Sequence, residues 1–346
     1  MSATLKQIAM EANVSLTTVS RVLNGTAGQI RICRETERQV LDIAKKLNYT
    51  PNILAKGLRS GKSSLIGVIL GNVSKCSQAR LLQGVENYLA EKKYGIIVRT
   101  TSYSGEVEKE SIQFLLDKKV EGLIINSSLI ICEGGKPFIK KLADDKTPTI
   151  LLDQRIDKEL KMPFHGHDDR RTGYLATRHL IDLGHTSILC VTCTHNNNII
   201  GILRLQGYKD ALAEAGIAVD PRLILDINPL CSTYEVTAYD AMREYLKAGK
   251  SFSAAFVHCA DASLRVVKAL RESGYDIPGD VSIVCEGNDD YLEFLRPPLT
   301  TIFLDNYKLG QTIAEDLLKL MNGESVHDVL LKPKLVERGS CRRAIP

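Results

Sequence analysis

Residues 4–24 read TLKQIAMEANVSLTTVSRVLN, and their spacing decides the N-terminal fold. Thr4-Leu5-Lys6-Gln7 has the form of a capping box, in which the Thr4 hydroxyl accepts from the Gln7 amide while the Gln7 side chain reaches back, so a helix starts at Leu5. Leu5, Ile8, Ala9 and Ala12 recur at helical spacing. Asn13 breaks the run, and Ser15 caps a second helix whose Val19, Val22 and Leu23 continue the same buried face. With small Ala9 at the crossing and Val14 in the turn, this is a helix-turn-helix signature. The outer face of the second helix carries Leu16, Thr17, Ser20 and Arg21, residues suited in turn to thymine methyls, base edges, phosphates and guanine. A third amphipathic helix over 35–47 offers Val40, Ile43, Ala44 and Leu47 to the core and is expected to be stopped by Pro51.

Outward from this head, the charge supports nucleic acid. The chain of 346 residues has net charge +4, but residues 1–62 carry +6 and the remainder −2. Two helices and a tight turn could form a plain small bundle; the polar second helix and the local positive charge favour DNA. The length predicts two or three domains. With 44% hydrophobic residues, 25% charged, 5% aromatic and no Trp, disorder, collagen-like repeats and aromatic-ladder sandwiches are excluded. The first 30 residues hold no leader pattern, and the longest apolar runs, such as Leu65 to Leu70, are strand-sized, so a soluble cytoplasmic chain is expected. Nine cysteines run from Cys33 to Cys341; the CxxC at Cys190 to Cys193 lies in an apolar run and reads as buried hydrophobes.

From Leu65 onward apolar runs alternate with amphipathic helices. Strands are expected at 65–70, 96–99, 123–126, 150–152, 188–191, 254–257 and 281–284, and helices at 81–91, 111–118, 172–183, 207–214 and 263–272. That is doubly wound, parallel α/β architecture in two series broken near 164–168, hence two lobes with a cleft. Ligands of such sheets bind beyond the C-terminal strand ends. Asp153 follows Ile150-Leu151-Leu152 at such an end, and Asp168 sits at the lobe crossing.

Residues 4–24, followed by LNYTPN at 47–52 and LIG at 65–67, resemble the lactose/galactose repressor (LacI/GalR) family, and the similarity continues to the C-terminus. The resemblance implies a helix-turn-helix head at 1–50, a hinge helix at 51–62, and a periplasmic-binding-protein-like domain at 63–346 that binds effector and dimerises. It implies recrossings near 297–305 and 323–333. Leu16, Thr17 and Arg21 would read bases, with Ser15, Ser20 and Asn24 near phosphates and Thr4 completing the DNA-facing set. Leu58 matches the leucine that wedges into the minor groove, with Gly57 before it. Asp153 and Arg204 match pocket positions, Asp168 joining them, for a sugar-like or anionic effector. Three departures stand out. Cys33 replaces the usual Ser cap of the third helix, and the loop over 25–32 is longer than in the lactose repressor. The family's pocket motifs are replaced by Lys75-Cys76-Ser77-Gln78, His258-Cys259-Ala260-Asp261 and Cys285-Glu286-Gly287-Asn288.

Other chemistry finds little support. No G-x-G, G-x-S-x-G or H-E-x-x-H occurs, and residues 57–63 imitate a phosphate loop with one residue too few and the strand on the wrong side. His165, His167, Asp168 and Asp169 could suggest a metal but read as a solvated crossing loop. The expectation is a homodimeric, cytoplasmic, sequence-specific regulator, most simply a repressor, with a palindromic DNA partner and a small-molecule effector. No cofactor, metal, membrane contact or catalysis is expected. A sugar-binding receptor without DNA regulation and an α/β enzyme are the alternatives.

Overall fold

The computed structural model describes residues 4–23, 32–49, 63–127, 135–145, 147–153, 162–195, 198–227, 234–287 and 289–344. Asn24, the loop over 25–31 and the segment 50–62 with Gly57 and Leu58 lie outside them. The chain divides into two compact units, Met1–Ser63 and Ser64–Pro346.

The first unit is a three-helix head: α1 Leu5–Glu11, α2 Leu16–Leu23 and α3 Arg34–Lys46. The capping box forms, with Thr4 N–H donating to Gln7 Oε1 at 2.8 Å and Gln7 N–H to Thr4 Oγ1 at 3.3 Å. Asn13 takes a left-handed backbone (φ 51°), so the chain turns and Val14 N–H reaches Ala9 O at 3.1 Å. Ile8, Ala9, Ala12, Val19, Val22, Val40 and Ala44 form the core. In α3, Cys33 serves as the cap, its sulfur accepting from Thr36 N–H at 3.5 Å. Pro51 does not stop this helix. It ends at Lys46 in a Schellman turn, with Asn48 at φ 48° and Tyr49 N–H bonded to Ala44 O at 2.9 Å.

The second unit holds two six-stranded sheets. One is ordered β11-β5-β4-β3-β1-β2, from β1 Leu65–Leu70, β2 Gly95–Thr100, β3 Gly122–Ile125, β4 Thr149–Leu152, β5 Phe164–His167 and β11 Val329–Leu331. The other is ordered β12-β10-β9-β8-β6-β7, from β6 Ile188–Thr192, β7 Ile224–Asp226, β8 Ala254–Val257, β9 Ser282–Glu286, β10 Thr300–Phe303 and β12 Lys334–Val336. Among the described residues only β12 runs antiparallel to its neighbour. The helices are α4 Cys76–Glu91, α5 Gly105–Asp117, α6 Gly135–Asp144, α7 Asp169–Asp182, α8 Ile199–Glu214, α9 Tyr234–Lys247, α10 Ala260–Glu272, α11 Tyr291–Phe294 and α12 Asn306–Met321. Each sheet is apolar on both faces, as parallel sheets covered by helices must be. The chain passes between the sheets after β5, after β10 and after β11.

Two expectations are corrected here. Residues 164–167 are no solvated loop but the strand β5, with His165 and His167 buried; His165 Nε2 meets Asp316 Oδ2 of α12 at 2.8 Å. The helices α4, α5, α7, α8 and α10 begin earlier than the apolar periods that marked them in the sequence, at Cys76, Gly105, Asp169, Ile199 and Ala260.

Glycines set how closely two helix pairs approach. A Cβ on Gly207 of α8 would lie 1.9 Å from Arg170 O of α7, and one on Gly173 of α7 would lie 1.9 Å from Arg204 O. Gly84 and Gly310 play the same part between α4 and α12. Gly207→Ala gains about 1 kcal/mol of helix propensity, but the clash is with backbone and cannot relax by a rotamer change. The variant is expected to be less stable by about 1–3 kcal/mol in thermal denaturation; an equal or higher Tm would show that α7 and α8 separate freely.

Candidate functional site

In the head, α2 presents a polar face because its apolar positions are spent on the core. Val19 and Val22 are buried, whereas Ser15, Leu16 and Thr17 are exposed and Ser20 and Arg21 half-buried on the opposite side. Leu16 is 37% exposed on this face. Ser15 Oγ accepts from Thr18 N–H at 3.1 Å, fixing the start of α2. Thr4 stands exposed at the start of α1 with its hydroxyl in the cap. Leu16, Thr17, Ser20 and Arg21 therefore share one stripe at i, i+1, i+4 and i+5, the geometry that enters a major groove.

In the body, the strand ends of the two sheets bring together charges that are remote in sequence. Asp153 closes β4 in a left-handed conformation (φ 62°), its N–H donating to His165 O at 3.0 Å and its Oδ2 accepting from Asn126 Nδ2 at 3.0 Å. Arg204 of α8 is 6% exposed and its fork is filled. Nε and Nη2 both donate to Asp169 Oδ1, at 2.8 and 2.7 Å, and Nη1 donates to Glu286 Oε2 at 2.8 Å and to His258 O. The Arg204 fork, expected to meet an effector, is occupied in this structure by two carboxylates of its own lobe. Asp168, expected to join the pocket, stands at the start of α7. Its side chain caps α7 by accepting from Arg171 N–H at 2.9 Å, and the next residue, Asp169, is the buried partner of Arg204.

The electrostatics follow from burial around one guanidinium. Burial pushes the Asp153 carboxyl up to about 7; the charge of Asp169 adds to this, while Arg204 and the Asn126 hydrogen bond oppose it. Burial also raises Asp169 and Glu286 against the pull of Arg204. His258, 5% exposed, is held down at about 3 by burial and by the charges of Arg204 and Lys75, and His167 at about 4 by burial and Arg204. Both imidazoles are neutral at physiological pH.

Glu286 also lines a pocket of about 90 Å³, together with Lys75, Ser77 and Arg80 from the first lobe and Cys259, Asp261 and Asp289 from the second. The three replaced motifs thus meet at one place, although their residues are not those the family pattern would supply. Arg80 bridges the lobes to Asp290 at 2.7 Å. A drug-sized ligand fills several hundred Å³, so binding one here requires the lobes to part. Sequence reasoning missed Asp169, Glu286, Asp289 and Arg80 as site residues. Glu286 stood within a motif already noted, and Asp169 lay one position from the residue chosen. Among the described residues no group of three or more His, Cys, Asp or Glu could hold a metal ion, and no helix is long and apolar enough to cross a membrane.

Comparison with known proteins matches residues 4–52 to bacterial regulatory proteins, lacI family, and residues 177–341 to a periplasmic binding protein-like domain. The helix-turn-helix-type transcriptional regulator RegA of Clostridium saccharobutylicum is 30% identical over 98% of this chain and 99% of its own length. Among solved structures, the Lac repressor dimer bound to operator and an anti-inducer superposes with a TM-score of 0.86 at 25% identity, covering 99% of this chain and all of that one. A LacI family transcriptional regulator from Enterococcus faecium with bound ribose gives a TM-score of 0.70 at 27% identity, over 81% of this chain and all of that one.

Proposed function

The chain belongs to the lacI family of bacterial regulatory proteins, and from that premise we propose that it is a cytoplasmic, homodimeric repressor whose cleft ligand sets how tightly it holds a palindromic operator. The observation that carries this reading is the exposed polar stripe of α2 on a capped helix-turn-helix head, in a chain whose second unit has a two-lobed ligand-binding fold. Leu16, Thr17 and Arg21 read base edges; Thr4, Ser15, Ser20 and Asn24 lie toward phosphates. Residues 1–50 act as the reading head, 51–62 as the hinge with Leu58 as its wedge, and 63–346 as the effector and dimer body. The operator-bound Lac repressor dimer and the ribose-bound E. faecium regulator support the operator and the sugar-like effector by analogy. No catalytic role is assigned.

The test is selection of a cognate palindrome followed by titration. Arg21→Ala is expected to cost about 1–3 kcal/mol on that site and far less on nonspecific DNA, because a base-edge contact is lost while phosphate contacts remain. Undiminished affinity for the cognate site would remove Arg21 from the reading face. Leu58→Ala should also weaken the cognate complex, since an apolar wedge between base steps is lost; an unchanged Kd would make residues 51–62 a passive tether.

A further inference from the structure

The first turns of α4 meet the other lobe. Arg80 donates from Nη2 to Asp290 Oδ1 at 2.7 Å, across the cleft. One turn earlier, Cys76 lies against Asp289, the neighbour of Asp290; burial and this carboxylate hold the thiol up, against the pull of Arg80. Cys76 and Arg80 stand at i and i+4, so one face of the helix meets two consecutive acids of the second lobe. Lys75, at the N-cap of the same helix, also lines the pocket. Burial works against its ammonium, yet Tyr103 and, from the second lobe, Asp261 and Glu286 hold it above its ordinary value.

These contacts span a gap that the backbone braces only lightly. Among the described residues the lobes are joined by the crossings after β5, β10 and β11, and lobes joined by a few strands open and close about them. The resting arrangement is then set by what touches across the cleft. Arg80 bears a cost in making its contact: its Nε is buried with no hydrogen-bond partner among the described residues while Nη2 reaches Asp290.

We propose that α4 is a latch: Arg80, with Cys76 beside it, clasps the Asp289-Asp290 corner and holds the cleft closed when no effector is bound. On the reading of the cleft as the effector site, from which this second step follows, an effector acts by parting the clasp. A ligand shifts the lobes only by the difference in its affinity for the two arrangements, and the latch sets how large that difference must be. One exposed ion pair is weak and screened by salt, so a ligand of modest affinity releases it.

Native thiols report the cleft. Cys259 of the second lobe lines the pocket, and burial pushes its thiol up to about 12, so parting of the lobes speeds its alkylation by iodoacetamide. Cys341, bonded to Ile283 O within that lobe, is the control. In the full chain, followed by peptide-resolved mass spectrometry, Arg80→Ala and Asp290→Ala are each expected to speed Cys259 alkylation about threefold to fivefold and to leave Cys341 unchanged. High salt should speed Cys259 in the unsubstituted protein more than in either variant. The exchanged pair Arg80→Glu/Asp290→Arg should bring Cys259 back toward its original rate, which a mere loss of packing does not allow. An unchanged Cys259 rate in both alanine variants overturns the latch. So does an exchanged pair as fast as the single variants, or a Cys341 that accelerates equally. Operator titration of Arg80→Ala separates the two readings. A faster Cys259 with unchanged operator affinity upholds the latch and removes the cleft's regulatory role. A changed operator affinity with an unchanged Cys259 rate removes the latch and leaves the regulatory reading standing.

Discussion

Arg204→Ala is expected to lower the stability of the two-lobed body by about 3–5 kcal/mol, the cost of removing one partner from a buried ion pair. Asp169 and Glu286 are each less than a tenth exposed and owe their compensation to the one guanidinium. Without it they must either stay charged in a poor dielectric or take up protons, so the loss should be greater at pH 8 than at pH 5. A fall in Tm on the order of 10 °C would be read in calorimetry. Arg204→Met combined with Asp169→Asn and Glu286→Gln should recover much of it, since a neutral, packed site lacks the uncompensated charge. Arg204→Ala with unchanged Tm would mean that the two acids are reached by water. If the triple variant melts no higher than Arg204→Ala, the guanidinium's packing and its bond to His258 O matter more than its charge.

Asp153→Asn is expected to stabilise the protein at pH 8 by about 2–4 kcal/mol and to do nothing below pH 4. The Asp153 carboxyl titrates at about 7 when folded against an ordinary 3.8, so between those values the native state holds a proton that the unfolded chain releases. Stability therefore falls as pH rises through this window, and the penalty is complete once the folded carboxyl has ionised. Asn cannot ionise, tolerates the left-handed backbone at φ 62°, and still accepts from Asn126 Nδ2. Tm against pH for the two proteins should converge in acid and diverge above neutrality. Parallel curves would show that Asp153 ionises without cost.

The head was legible in the sequence because everything that specifies it is local. Thr4 and Gln7 are three residues apart, Ser15 caps the turn after it, and Ile8, Ala12, Val19 and Val22 fall at one helical period. The same holds for β1, β3, β4, β6 and β8, whose unbroken apolar runs announce strands covered on both faces. It fails for β5, where Phe164-His165-Gly166-His167 has neither alternation nor an apolar run, and only Asp316, 151 positions away, makes a buried histidine acceptable. It fails again for the short edge strands β11 and β12, which exist because the chain recrosses to pair with β5 and β10.

The sequence alone therefore determined the head, its exposed polar stripe and a doubly wound two-lobed body, since periodicity, caps and turn residues act within a few positions of one another. The tertiary structure alone decided the chemistry of the cleft. Which of Asp168 and Asp169 faces inward depends on which one caps α7, and whether Arg204 is free for a ligand depends on Asp169 and Glu286, 35 and 82 positions away. Charge pairing in a buried site is settled by which groups the fold brings within hydrogen-bonding distance, and local spacing carries no record of that.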